Sequence, residues 1–403
     1  MLSNQKANNA TESLTSSSAF AFVFTLGIVN LFADMTYEGG GSIHGPFLGA
    51  LGASAAAIGF VAGAGEFLGY AVRLPAGYVS DKTGRVWSLA FIGYAINLFA
   101  IPALALAGSW PAAAVLMIAE RVGRGIRKPT VESMLSHTTG HLGKAWVYAL
   151  NNALDEIGAM LGPLVVALVL FVRGKDSYRT AYATLLVSTL LALVALTIAR
   201  RAFPHPSQLE SSNSRAATTA GFTRSYWLHM VAAAFFAAGL TSFELISYHL
   251  SSKGIVSTYA IPVLMTLASG FGILASLVFG KMFDRIGLRV VLIAVSCSAL
   301  FAPLVFLGRL PLVIVGMLLW GVGFATQDTL LKAVVAGLMP TGRRSLAFGL
   351  FYTGYGVGWL IGSTTTGLLY NYSIPAVIAF SVATQLLALP LFILAERSGR
   401  PSR

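Results

Sequence analysis

Charge is what this 403-residue chain has least of: Asp, Glu, Lys and Arg together make up 10% of it. Soluble domains carry about 25% and need it to solvate their surface, so a free-standing soluble fold is excluded. Cysteine is almost missing, and the single Cys297 rules out an internal disulfide. The six histidines are scattered; only His137 and His141 stand at i and i+4, at a loop boundary, so no metal site is expected. There is no G-x-x-x-x-G-K-[ST] phosphate loop, no zinc motif and no nucleophile elbow, which leaves ATP-driven pumping and hydrolysis without support. Neither an enzyme nor a cofactor is expected. Long polar stretches are confined to a short N-terminal tail without a cleavable signal pattern and to one internal segment, 200–225.

What fills the remainder is apolar, at 56% of residues with a mean hydropathy of +0.75. With about 20 apolar residues needed per bilayer crossing, the runs read as spans at 19–38, 54–79, 87–107, 110–136, 145–172, 179–199, 226–249, 256–280, 288–307, 311–338, 345–370 and 374–395. The expected architecture is all-α: a tail 1–18, a six-helix bundle 19–199, a linker 200–225, a second six-helix bundle 226–395 and a tail 396–403.

A doubled pattern supports the division. Gly77-Tyr-Val-Ser-Asp81-Lys82-Thr-Gly84-Arg85 returns 203 positions later as Gly280-Lys281-Met-Phe-Asp284-Arg285-Ile-Gly287. Each copy is a polar, glycine-punctuated turn between two apolar segments, and internal repeats of this kind build secondary transporters around one site. The glycines permit a tight turn. With the N-terminus in the cytoplasm, short cytoplasmic loops and tails hold sixteen Lys and Arg residues and the outer loops five, so both termini are expected inside. The net charge of +12 is thereby dispersed over loops, which points to anionic lipid contact and away from nucleic acid.

Ionisable groups within a bilayer cost about 2.5–3.5 kcal/mol each on insertion scales and are functional candidates by default. Nine acids lie in or at the ends of spans, as do six bases; seven of those acids and five of those bases belong to the first six spans. Helical spacing groups them. Asn30, Asp34 and Glu38 share a face of span 1, with Tyr37 beside them; Glu66, Tyr70 and Arg73 share one of span 2. Glu120, Arg124, Lys128 and Glu132 line span 4, flanked by Arg121 and Arg127; Asn151, Asn152, Asp155 and Glu156 cluster on span 5. Four such stripes must converge on a polar interior.

Arg121 and Arg124, near mid-span, are expected to pair with Asp34, Glu66 or Asp155, whereas Arg127, Lys128 and Glu132 read as snorkelling or latch residues near the end of span 4. Asp328 and Lys332, at i and i+4, read as a self-satisfied pair, and Glu244 has no cation in its own helix. The second half offers an aromatic wall of Tyr352, Tyr355 and Trp359 with Tyr248 and Gln327, read either as helix packing or as the lining for a ligand with a ring portion.

Twelve spans in two repeats with the doubled loop resemble the major facilitator superfamily along essentially the whole chain. GYVSDKTGR resembles its signature G-x-x-x-D-[RK]-x-G-[RK] at Gly77, Asp81, Lys82, Gly84 and Arg85, with Asp284 and Arg285 in the echo. The resemblance implies a conformational latch on the cytoplasmic side. Arg121 to Gly125 resembles an R-x-x-x-G element associated with proton coupling. Gly158-Ala-Met-Leu-Gly162-Pro163 resembles the G-x-x-x-G-P element of antiporters, although Leu164 stands where a glycine usually follows, and close helix packing explains the same spacing. DMTYEGGGSIHGPFLGALGAS, SDKTGRVWSLAFIGYAINL and ERVGRGIRKPTVESMLSH resemble a bacterial branch, which implies fold and class without a cargo.

The expectation is a proton-coupled secondary transporter in a bacterial inner membrane, working by alternating access as a monomer on a small molecule, with export by antiport placed ahead of import. Asp34, Glu66, Arg121 and Asp155 are the proton-coupling candidates; Tyr37, Glu38, Arg73, Arg124, Asn151, Asn152, Glu244, Tyr248, Gln327, Tyr352, Tyr355 and Trp359 are the cavity candidates. A permease for an organic anion or metal chelate and a sensor on the same scaffold are the alternatives.

Overall fold

The computed structural model describes residues 2–136, 138, 144–174, 176–205, 222–338 and 344–399, with side chains from residue 17 onward except at 81, 144–146, 148–149, 336, 344–346 and 399. Most of the linker, His137, His141 and the last residues of the C-terminal tail lie outside that set. Among the described residues the chain is helical throughout, with no strand.

Ten segments are long and apolar enough to cross a membrane: Ser17–Gly41 (α1), Ala55–Ser80 (α2), Val86–Leu106 (α3), Leu150–Arg173 (α5), Tyr178–Ala202 (α6), Arg224–Ser252 (α7), Ala260–Ile286 (α8), Leu288–Leu307 (α9), Leu310–Val335 (α10) and Ile374–Ser398 (α12). Two further helices, Trp110–Ser136 (α4) and Arg344–Tyr372 (α11), complete twelve among the described residues. They fall short on apolarity for different reasons. Helix α4 carries Glu120, Arg121, Arg124, Arg127, Lys128 and Glu132, and α11 is rich in Gly, Thr and Tyr. Both face the interior, where polar and small residues are tolerated.

Each half forms a bundle held by backbone-to-backbone approach at glycine. A Cβ on Gly158 or Gly162 of α5 would stand 2.1 Å from the Leu31 or Met35 carbonyl oxygen of α1. In the second half, a Cβ on Gly358 or Gly362 of α11 would stand 2.2 Å from the Ala234 or Ala238 carbonyl oxygen of α7. The Gly-x-x-x-Gly of α5 is thus a packing seam with a counterpart in the other repeat. The doubled loops each end on a glycine at positive φ, Gly84 (φ 63°, ψ 7°) and Gly287 (φ 59°, ψ −137°), where other residues are resisted.

Breaks in the helices mark the interior. In α2 the ring of Pro75 displaces the carbonyl four residues back, and regular helix stops at Ala71 and restarts at Arg73. In α7 the chain leaves the helix after Gly239 and resumes at Phe243. The freed carbonyls are satisfied inside the protein: Ser381 Oγ (2.6 Å) and Gln385 Nε2 (3.2 Å) donate to Gly239, and Trp320 Nε1 (2.9 Å) donates to Thr241. Helix α10 contains a π-helical stretch, Thr326–Leu331, which presents Gln327 and Asp328.

The bundles meet most closely at the end of the molecule away from the polar turns. There Gly45 lies against the Glu244 carbonyl, Gly49 against the Tyr248 ring and Gly59 against the Ser363 carbonyl. At the opposite end, a partly open cavity of about 460 Å³ separates them.

Candidate transport site

Three clusters occupy the interface, each built by helices from far-apart stretches of sequence. Arg121 is the hub of the first. Its guanidinium reaches Glu66 at 2.6 Å, Glu120 at 3.4 Å and, across the bundle interface, Glu244 at 3.1 Å. Gly65 and Gly69 of α2 leave room for its stem and backbone. The face of Tyr37 lies below both Arg121 (4.8 Å) and Arg124 (4.0 Å), and Arg124 also donates to the Tyr37 hydroxyl. Glu120 is fully buried, and Asn97 Nδ2 donates to it at 2.8 Å. Arg124 is also the main counter-charge of Glu38. Glu244, which lacks a cation in its own helix, therefore finds one in the other bundle.

The second cluster surrounds Arg127. It is 4% exposed, which corrects the snorkelling expectation: the rotation of α4 turns Arg127 inward. Arg127 donates to Asp34 at 2.9 Å and to Asn30 at 3.2 Å, and its guanidinium lies 4.8 Å from the Tyr94 ring centre. Asn30 is fully engaged, accepting also from the Tyr94 hydroxyl and donating to Asn151 at 2.9 Å. The partner of Asp34 is thus Arg127, one helical turn beyond the two arginines the sequence offers for it.

The cavity opens beside this cluster. Asn30, Asp34, Arg127, Lys128 and Glu132 form one wall, Asn151, Asn152 and Asp155 a second, and Asp328 with Lys332 a third. Asp328 and Lys332 pair at 3.2 Å, as their spacing implies. Asp155 Oδ1 is buried and has no hydrogen-bond partner among the described residues.

The third cluster is aromatic and joins the bundles. Gln327 donates to the Tyr70 hydroxyl at 2.7 Å and accepts from Tyr355 at 2.8 Å. Tyr70 and Tyr352 stack at 5.4 Å, and Arg73 sits over both rings, at 4.6 and 5.5 Å from their centres. Trp359 stacks on Tyr355 at 6.1 Å. Tyr248 stands apart, edge-on to Tyr370 at the closed end.

Of the latch residues, Lys82 lies over Tyr78 at 5.6 Å, while Asp284 and Arg285 are exposed and form no ion pair among the described residues. The side chain of Asp81 lies outside the described set. Sequence reasoning passed over Tyr94 and Asn97, although two polar groups at i and i+3 inside the otherwise apolar α3 are a usable signal.

A family model of the Major Facilitator Superfamily matches residues 15–327 and 245–403. The chain belongs to that superfamily. It is 34% identical over 377 residues to an uncharacterized protein of Mycobacterium tuberculosis, spanning 92% of each. It is 27% identical over 367 residues to an uncharacterized MFS-type transporter of Methanocaldococcus jannaschii, spanning 87% of this chain and 89% of the relative. Among solved structures, a nucleoside transporter superposes with a TM-score of 0.73 at 14% identity, over 94% of this chain and all of the other. A peptide transporter bound to sulfate gives 0.73 at 16% (94% and 95% covered), and a bacterial homologue of the iron transporter ferroportin 0.65 at 14% (94% and 99%). At these identities the structures speak for the fold alone. Family and fold make this superfamily member a multi-pass membrane transporter of small molecules and not an enzyme.

Proposed function

We propose that this transporter is a proton-coupled secondary transporter that works by alternating access in the inner membrane, exporting its substrate in exchange for protons. The observation that carries the reading is the position of Arg121, one guanidinium shared by Glu66 and Glu120 of the first bundle and Glu244 of the second. Arg124 also acts on Glu66 and Glu120, and the charge of this buried cluster depends on how many protons its three carboxylates hold. Opening the closed end requires Glu244 to leave Arg121, since Gly45 packs on the Glu244 backbone itself. Protonation lowers the cost of that separation by removing one charge from the pair.

At the other end, Asp34 and Asp155 line the open cavity, the first held by Arg127 and the second without a hydrogen bond at Oδ1. Both are reachable by protons from that side. The two arginines among the cavity candidates are engaged elsewhere, Arg124 with Tyr37 and Arg73 over Tyr70 and Tyr352, and neither lines the cavity.

The test is proton flux in proteoliposomes loaded with a pH-sensitive dye, under an imposed gradient, across a panel of cationic, neutral and anionic solutes. The expected result is substrate-triggered proton movement opposite to the substrate, lost in Asp34→Asn and Glu244→Gln. Proton movement in the same direction as the substrate would make it an importer. Substrate transport indifferent to the gradient would refute coupling.

A further inference from the structure

The charges lining the cavity do not cancel, and one carboxylate oxygen beside it lacks a donor among the described residues. Asp34 is matched by Arg127 at 2.9 Å and Asp328 by Lys332 at 3.2 Å. Lys128 is shared by two carboxylates, Asp155 and then Glu132, the latter one turn on along α4. Four acids thus face three bases across the lining, one carboxylate in excess. The charged neighbours of Asp155 are Asp34, Lys128, Arg127 and Glu156; Arg127 is held by Asp34, and Lys128 is divided between Asp155 and Glu132. Asp155 Oδ1 faces no hydrogen-bond donor among the described residues, although it is buried beside a cavity large enough for a ligand of several heavy atoms. A buried acceptor left without a donor is costly, and an incoming N–H group removes that cost.

From this we infer that the cavity takes a hydrophilic organic cation, an amine whose nitrogen sits against Asp155 and whose polar remainder meets the amide of Asn152. The lining excludes the two neighbouring chemistries. An organic anion meets a lining in which four acids outnumber three bases. A lipophilic cation finds a wall made mostly of Asn, Asp, Glu, Lys and Arg, since the Tyr352 and Tyr355 rings are not part of the lining. The inference rests on the chain being a transporter and is independent of whether transport is coupled to protons.

The experiment reads the cavity directly. In a Cys297→Ala background, Asn152→Cys is modified in membrane vesicles with a cationic trimethylammonium methanethiosulfonate and with its anionic sulfonate analogue, each rate normalised to free thiol. One unmatched charge nearby predicts a preference for the cationic reagent of about ten-fold or more. Asp155→Asn should bring the ratio close to one, and Asp155→Glu should keep it, which separates loss of charge from loss of fold. Cadaverine should slow modification, glutarate should not, and the protection should vanish in Asp155→Asn. A ratio at or below one, a ratio unmoved by Asp155→Asn, protection by glutarate, or no protection by cadaverine would each overturn the assignment. Labelling needs no gradient, so cadaverine protection without proton flux would count against coupling and leave the ligand class standing.

Discussion

In the first bundle, Gly158 and Gly162 press α5 onto the carbonyls of Leu31 and Met35; in the second, Gly358 and Gly362 press α11 onto those of Ala234 and Ala238. The contacts fix which residues correspond. On that register Asp34 matches Ala237, Asn151 matches Phe351, Asn152 matches Tyr352 and Asp155 matches Tyr355. One backbone scheme therefore carries an ionic interior in one copy and an aromatic interior in the other. The cores reflect it. Buried apolar residues of the second bundle form one continuous cluster, whereas those of the first form two, one toward each end. The layer between the two holds Asn30, Asp34, Asn97, Glu120, Arg121 and Arg127. The first bundle gives up apolar continuity to hold charge, and the second keeps one unbroken apolar core.

The comparison can be broken most severely by unbalancing the ionic layer. Arg127→Met leaves half-buried Asp34 without its ion-pair partner and should cost about 3 kcal/mol, read as a large drop in the thermal midpoint of the purified protein. Ala237→Asp, which places an acid at the matching position of the second bundle, should be comparably harmful because the position is buried and, among the described residues, no cation pairs there; a near-neutral result would mean that the bundles are interchangeable. A smaller, symmetric effect is expected at the seams. Gly158→Ala and Gly358→Ala should each cost about 1–3 kcal/mol through overpacking, and a clear inequality in their thermal midpoints would spoil the register. On the aromatic side, Tyr355→Phe removes the hydroxyl that donates to Gln327 and should cost about 1 kcal/mol. Tyr352→Phe, whose hydroxyl is buried without a partner among the described residues, should be neutral or slightly stabilising in the same assay. Asp328→Asn should change the midpoint least, by at most about 0.5 kcal/mol, because its ion pair is exposed.

Much of this was readable in the chain. Long apolar runs set the spans to within a few residues, since twenty-odd residues of bilayer thickness leave little freedom, and the doubled turn located the repeat. The convergence of α1, α2, α4 and α5 on a polar interior followed from i, i+4 spacing. What spacing cannot give is the rotation of one helix against another. Asp34 finds Arg127 rather than Arg121 or Arg124 because α4 turns its last third inward beside α1, and those residues are 93 positions apart. Glu244 finds Arg121 across 123 positions and a bundle interface, so no local pattern marks the pair. The pairing of Glu120 with Asn97 was hidden for a similar reason: a polar residue in an apolar helix shows that a partner exists without saying where.

The central claim, that protons act through the Arg121 cluster to release the closed end, is tested most directly by the distance across that end. Spin labels at Ala50→Cys and Lys253→Cys, in a Cys297→Ala background, report it by pulsed electron resonance as pH is lowered. The account predicts that acid shifts the distribution to longer distances, and that Glu244→Gln, which removes the charge that meets Arg121 across the interface, removes most of that response. A distribution that stays short at every pH, or one that responds equally in Glu244→Gln, would contradict it.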